Sequence, residues 1–242
     1  MRSASEIIAA PLAPAARVKA IFRHIAPRYD LVNALSSMGL DRHWRRAAVR
    51  LAELPTGSRA LDLATGTGDL TLAVAKLGEP ALLISTDFVP EMVALARRKL
   101  ERYQGPTRIC FNLADAERLP FKSGSFDAVT IAFGLRNLAD REANLREVHR
   151  VLKEGGRYVI LELARPPSAP FRAAYHAYLS TVVSLWGGLL ARDRDTYRYL
   201  RDSVRSFLDP HALAQELRAV GFSHAQWQTL TAGIVSVHVA VK

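Results

Sequence analysis

The chain is poor in the residues that mark secreted, metal-bound or membrane-spanning proteins. It holds one cysteine, Cys110, in 242 residues, which excludes an internal disulfide and a cysteine-ligated zinc site. Its seven histidines never fall at HxH or HxxxH spacing, so no compact histidine metal site can be read either. Long hydrophobic runs are lacking too. The best candidate, Leu179 to Leu190, is interrupted by two serines, a threonine and Gly187-Gly188, and is shorter than the ~18 apolar residues that suggest a span. The first sixteen residues are rich in Ala and Pro but lack the apolar core of a signal peptide, and are expected to be mobile. A cytoplasmic protein is the simplest expectation.

What is present is an ordinary globular composition, 49% apolar and 23% charged, with a marked excess of arginine. Net charge is +10, and six of those charges lie in residues 17–50, where eight Arg/Lys face only Asp30 and Asp41. Such a balance suits nucleic acid, an anionic membrane surface or plain solubility, and does not choose among them. Residues 17–52 read as helices, with Val18, Ile21, Phe22 and Ile25 on one face and Trp44, Ala47, Ala48 and Leu51 on another.

From residue 59 the hydrophobic period alternates. Strand-like runs at Ala60–Ala64, Ala81–Ser85, Ile109–Leu113, Ala128–Phe133 and Tyr158–Leu163 are separated by helical stretches at Leu70–Leu77, Glu91–Tyr103 and Arg141–Leu152, the last expected to close at Gly155-Gly156. Alternation of this kind predicts an α/β fold with a doubly wound, mostly parallel sheet. Residues 168–206 interrupt it with an aromatic, helical insertion. After a helix at Pro210–Ala219, the runs Ala225–Leu230 and Ile234–Val241 are linked too tightly for anything but an antiparallel hairpin. The expectation is one domain over residues 17–242 with a seven-stranded sheet.

The first strand runs into ALDLATGTGDLT, whose Gly66 and Gly68 permit a tight turn and close backbone approach to a ligand. Thr71 replaces the third glycine of a dinucleotide fingerprint, the Walker lysine is missing, and Asp69 stands where a pyrophosphate would be unwelcome. Asp87 follows 19 residues after Gly68 at the end of the second strand, where a carboxylate can accept both ribose hydroxyls. Asp115-Ala116 ends the third strand, within reach of an adenine edge, and Ala132-Phe133-Gly134 ends the fourth. A ligand with ribose, adenine and a cationic sulfonium but no phosphate fits this lining, which is the description of S-adenosyl-L-methionine (SAM). The plainer alternative is that Asp62, Asp69, Asp87 and Asp115 only cap helices and turns.

These features, with YDLVN (Tyr29–Asn33), Trp44, RLPF (Arg118–Phe121), AFGLRN (Ala132–Asn137), RVLKEGGR (Arg150–Arg157), YRYLRDS (Tyr197–Ser203) and LTAGIVSVH (Leu230–His238), make the chain resemble the UbiE/MenG family of quinone-biosynthesis C-methyltransferases, of the class I SAM-dependent fold. The resemblance runs from about residue 18 to the C-terminus. It implies SAM contacts at Thr67, Asp87, Asp115, Ala116 and Ala132, with the cap carrying Tyr29 closing over the methionine end. The family's pattern differs at Val32 (Met), Asp41 (near a His), Asp115 (Asn), Ala132 (Ser), Glu154 (Pro) and Ala164 (Ser). It also implies a prenyl quinol as methyl acceptor, a demethylmenaquinol or a methoxy-polyprenyl-benzoquinol, and leaves room for a homodimer.

Carbon methylation of a quinol requires one hydroxyl to lose its proton. Arg136 and Asn137, just past the fourth strand, are the expected catalytic pair, with Arg136 stabilising the quinolate or orienting a water that takes the proton. The plainer alternative is an Arg136 paired with Asp140. Tyr175, Tyr178, Tyr197 and Tyr199 are candidates for an aromatic wall against the ring. The basic helices and Leu179–Leu190 together could dock on an anionic lipid surface. A nucleic-acid methyltransferase is disfavoured because AFGLRN fills the slot of its NPPY-like or Pro-Cys motif. A sterol, polyketide or amine acceptor is the stronger rival.

Overall fold

The computed structural model describes residues 14–26, 29–164, 166–175, 177–178, 181 and 208–242. Tyr197, Tyr199 and all of Leu179–Leu190 except Thr181 lie outside them. Three helices open the described chain: α1 (Pro14–Ile25), α2 (Tyr29–Ser36) and α3 (Asp41–Ala52). The cap thus begins three residues before the expected start, with proline in the first turn, where its missing N–H has no helical partner to lose. On α3 the buried stripe is Asp41, Trp44, Arg45, Ala48, Val49 and Ala52. It is rotated from the expected stripe because Ala47 and Leu51 are only half-buried.

Among the described residues there follow β1 (Arg59–Leu63), α4 (Asp69–Leu77), β2 (Leu82–Asp87), α5 (Pro90–Leu100), β3 (Arg108–Leu113), β4 (Phe126–Ala132), α6 (Arg141–Val151), β5 (Leu152–Leu163), α7 (Pro210–Val220), β6 (His224–Leu230) and β7 (Val235–Val241), besides short helical turns. They form a seven-stranded sheet in the order β3-β2-β1-β4-β5-β7-β6. The first five strands in this order are parallel; β7 runs antiparallel to β5 and to β6. The parallel sheet closed by a hairpin is as the periodicity predicts.

Alternation along β5 shows how the sheet is buried on both sides. Tyr158 and Ile160 pack with Leu145 and Val148 of α6 and Leu213 and Leu217 of α7. Val159 and Leu161 point the other way, onto Trp44, Ala48 and Ala52 of α3 and the valines of β7. Each fully buried Leu or Ile here contributes roughly 1.5–3 kcal/mol of transfer free energy.

One boundary differs from the sequence expectation. Gly155-Gly156 does not end α6. The helix stops when Leu152 turns extended (φ −70°, ψ 143°), and both glycines lie within β5. There Gly155 N–H donates to Lys242 O and Lys242 N–H to Gly156 O, so the pair closes the sheet against the C-terminus.

β1 and β4 are neighbours, and the chain winds outward from them in opposite directions. A crevice therefore opens beyond their carboxyl ends, the place where open α/β sheets bind ligands. Gly68, which precedes α4, is needed there for packing: at φ +89°, a Cβ would stand 2.7 Å from Leu100 Cδ1 and 3.1 Å from Ala96 Cβ. Gly68→Ala is expected to cost on the order of 2 kcal/mol, from left-handed strain plus overpacking. A urea midpoint equal to wild type would contradict that.

Candidate active site

The crevice is a cleft, partly open to solvent, beneath the helical cap. Val18 and Phe22 of α1 and Tyr29 of α2 form its cover. Its floor is built from strand ends: Ala64 and Gly66 after β1, Asp87 and Phe88 at β2, Ala114 to Glu117 at β3, and Ala132 to Gly134 at β4. Met92 of α5 and Asn137, Leu138 and Ala139 complete the wall. Among the described residues, three carboxylates line the cleft (Asp87, Asp115 and Glu117), and no arginine, lysine or histidine does. Such a lining favours a cationic ligand and opposes a phosphate.

Asp87 ties the β1 loop to β2. Its Oδ2 accepts Gly66 N–H at 2.9 Å and its Oδ1 accepts Val89 N–H at 2.9 Å. Burial raises its pKa despite these bonds. Each oxygen keeps a lone pair for a ligand hydroxyl. Asp115 accepts Glu117 N–H through Oδ1. The Ala116 carbonyl is held by Asn144 Nδ2 at 2.8 Å, which fixes the backbone at the β3 exit. Glu117 receives Ala139 N–H and Asp140 N–H, joining that exit to the loop after β4.

Two strand exits are strained. Ala64 after β1 and Phe133 after β4 have φ of 48° and 57°, a region that costs non-glycine residues roughly 1–3 kcal/mol. The two loops touch: a Cβ on Gly134 would lie 2.7 Å from Ala64 Cβ. The Phe133 ring is held by the Trp44 edge (centroids 6.2 Å) and by the Arg45 guanidinium 5.6 Å from its centre. Trp44 is itself anchored through Nε1–H to Thr231 Oγ1 at 2.8 Å, which gives the LTAG segment a structural part in the site.

Not every expected residue reaches the cleft. Tyr29, Gly66, Asp87, Asp115, Ala116, Ala132 and Asn137 line it; Thr67, Gly68 and Arg136 do not. Thr67 donates its hydroxyl to Asp30 and accepts from Lys99 Nζ at 3.1 Å. Lys99 also pairs with Asp30 (2.6 Å) and Asp69 (2.7 Å), so these groups latch α2 onto the glycine loop and α5. Arg136 pairs with Glu162 at 2.6 Å and not with Asp140, which instead caps α6 by accepting Ala143 N–H. Asn137 donates Nδ2–H to Phe133 O at 3.1 Å. Tyr175 and Tyr178 are half-buried, Tyr175 against the Trp44 cluster, and burial pushes the Tyr175 phenol up to about 12. Burial also raises the Tyr29 phenol.

Asp62 is neither a cap nor a cleft residue. Wholly buried on β1, it accepts hydroxyls from Thr71 (2.6 Å), Thr130 (2.8 Å) and Thr65 (3.0 Å), and Ser85 joins the network. Burial pushes its pKa up to about 6, against the pull of those three hydroxyls and Arg45. The unfolded chain releases this proton near pH 3.9 while the folded chain still holds it, so the group's contribution is full at low pH and is lost as pH rises toward 6. The loss amounts to up to about 3 kcal/mol. Asp62→Asn, which cannot ionise, should gain stability relative to wild type between pH 4 and pH 7. Parallel urea curves with a pH-independent difference would contradict this.

Sequence reasoning missed Glu162, and placed Phe133 at the ligand end of the fourth strand without giving it a part in the site. The signal for Glu162 is a lone carboxylate in the apolar run RYVILEL, which demands a buried partner. Phe133 has no such signal, since its strained backbone is invisible in AFGLRN.

Comparison with known proteins accords with this architecture. The demethylmenaquinone methyltransferase of Thermus thermophilus is 48% identical over 219 residues, covering 90% of this chain and 98% of that one. A ubiquinone/menaquinone biosynthesis C-methyltransferase UbiE of Geobacter sp. strain M21 is 44% identical over 227 residues, covering 93% and 96%. Among solved structures, a SAM-dependent methyltransferase from Thermotoga maritima superposes with a TM-score of 0.62 at 18% identity, covering 92% of this chain and 98% of that one. One from Aquifex aeolicus gives 0.59 at 15% identity, covering 81% and 88%. These two share the fold. A sequence profile of the ubiE/COQ5 methyltransferase family matches residues 12–242, and with relatives this similar along nearly their whole length the chain belongs to that family of enzymes.

Proposed function

We propose that the cleft binds S-adenosyl-L-methionine and that the enzyme methylates a ring carbon of a prenylated quinol, a demethylmenaquinol or a methoxy-polyprenyl-benzoquinol. The observation that carries the reading is the lining itself: among the described residues, three carboxylates, no cationic side chain, and apolar walls from Val18, Phe22, Phe88, Met92 and Leu138. It suits a nucleoside attached to a sulfonium and would repel the phosphates of NAD or ATP. The quinol rests on the relatives, a demethylmenaquinone methyltransferase and a ubiquinone/menaquinone biosynthesis C-methyltransferase.

In this reading Asp87 accepts the ribose hydroxyls, and Asp115 with the Ala116 N–H takes the adenine edge. Gly66 and Ala132 offer backbone close to the ligand, and Tyr29 closes the cover. Thr67 acts through the latch to Asp30 that keeps α2 down. SAM supplies a methyl group on sulfur that is open to in-line displacement, so the protein's part is largely positioning and exclusion of water. Arg136, always charged, stabilises the negative charge that grows on the quinol oxygen, and Asn137 shares its Phe133 anchor. Tyr175 and Tyr178 contribute to the acceptor side, with Tyr197 and Tyr199 proposed alongside them.

Lipophilic acceptors reside in membranes, and the basic cap suits peripheral contact with an anionic surface. Among the described residues no helix is long and apolar enough to cross a membrane. Mass spectrometry of turnover with SAM and two short-chain quinols, a demethylmenaquinol and a methoxy-benzoquinol, under reducing conditions tests the reading. Methylation of either supports it and selects the acceptor. SAM binding without any product would instead favour a sterol, polyketide or amine acceptor.

A further inference from the structure

We infer that Glu162 is a positioning residue that fixes the Arg136 guanidinium for the methyl-transfer step, an inference that rests on the reading of the site given above. Glu162 follows Leu161, which pairs with Ala132, so it stands beside Phe133 at the carboxyl end of the sheet. Its side chain is wholly buried and that of Arg136 is 6% exposed. Oε1 accepts Arg136 Nη1–H at 2.6 Å and Leu163 N–H at 2.8 Å; Oε2 accepts Arg136 N–H at 3.3 Å. One carboxylate therefore holds the backbone and the guanidinium of the same residue.

The strained Phe133 supplies the second support. With φ +57° its carbonyl receives both Arg136 Nη1–H (2.7 Å) and Asn137 Nδ2–H (3.1 Å). Nη1 is thus committed twice, whereas Nε lies buried without a hydrogen-bond partner among the described residues. A buried donor left open costs roughly 1–3 kcal/mol unless something else satisfies it. The positive charge of Arg136 lowers the phenols of Tyr29 on the cap and of Tyr175, against the burial that raises both.

Stability alone does not account for the pair. A buried ion pair is often no more stabilising than apolar residues of the same volume, and Ile160 and Leu161 show what this strand otherwise uses. The pair sits at the end of the sheet where the ligand binds. Its cost is better matched by precise placement of Arg136, for which an error of about 1 Å can slow turnover about a hundredfold.

Glu162→Gln keeps the shape and removes the charge. The expected result is kcat lowered about tenfold or more at temperatures well below unfolding, with SAM affinity within about twofold of wild type. The ¹⁵N-resolved Nε–H of Arg136 should also exchange with water faster than in wild type. Glu162→Asp keeps the charge one methylene short and should fall between the two. If E162Q does not fold, Glu162→Asp is judged by the same readouts. Wild-type kcat together with unchanged Nε–H exchange in the folded variant would overturn the inference, even if its melting temperature fell. Should wild-type protein methylate no quinol, the functional reading fails by itself, and the Nε–H exchange still decides whether Glu162 holds Arg136.

Discussion

Asp87→Ala is expected to weaken SAM binding by about a hundredfold or more while leaving the sheet folded. The carboxylate has two parts in the site. It accepts Gly66 N–H and Val89 N–H, which fixes the glycine loop against the end of β2. In the proposed reading its remaining lone pairs take the ribose hydroxyls. Hydrogen bonds to a charged group contribute about 1.5–3 kcal/mol each, so losing the ligand's bonds and the loop's anchor together weakens affinity by about 3–4 kcal/mol. The fold should survive because Asp87 is the last residue of its strand and the ladder to β3 is made by the backbone. Calorimetry with S-adenosylhomocysteine reads the effect directly. An affinity within about threefold of wild type would remove Asp87 from the binding site.

Arg136→Ala should lower kcat about a hundred- to a thousandfold with little change in SAM affinity, the size seen when one oxyanion-stabilising donor is lost. The arginine is off the cleft's lining, so donor binding does not need it, whereas charge growing on the acceptor oxygen does. The substitution also strands Glu162, which is wholly buried, and breaking such a pair from one side costs about 3–5 kcal/mol of stability. The kinetic test therefore belongs with Arg136→Lys, which keeps a charge but loses the planar guanidinium whose Nη1 reaches Glu162 and Phe133 O together. Slow turnover in both variants, with SAM still bound, supports the role. Full turnover in either folded variant contradicts it.

The sheet was legible because parallel strands covered on both faces are largely apolar, as β1, β2, β4 and β5 are, and because helical periods separate the runs; β3, at the edge, is partly exposed. The hairpin was legible from the short link near Gly233. Boundaries failed where glycine has two meanings: Gly155-Gly156 looks like a helix stop but serves the sheet edge, through bonds to Lys242 that no local pattern announces. The site divides in the same way. Asp87 and Asp115 could be found because strand ends and spacing define them. The latch of Asp30, Thr67, Asp69 and Lys99 could not, because its parts come from three separate places in the chain. Arg136 is visible, but the pairing its sequence neighbours suggest is with Asp140, whereas the partner is Glu162 on the adjacent strand β5.

The central claim is that the cleft delivers a methyl group from SAM to a quinol carbon. The most direct measurement is turnover with methyl-deuterated SAM and the reduced acceptors, followed by NMR of the isolated product. The account predicts a deuterated methyl on ring carbon, the loss of one ring proton and both hydroxyls intact. A label found on oxygen or nitrogen, or no labelled product from either quinol while SAM binds, would contradict it.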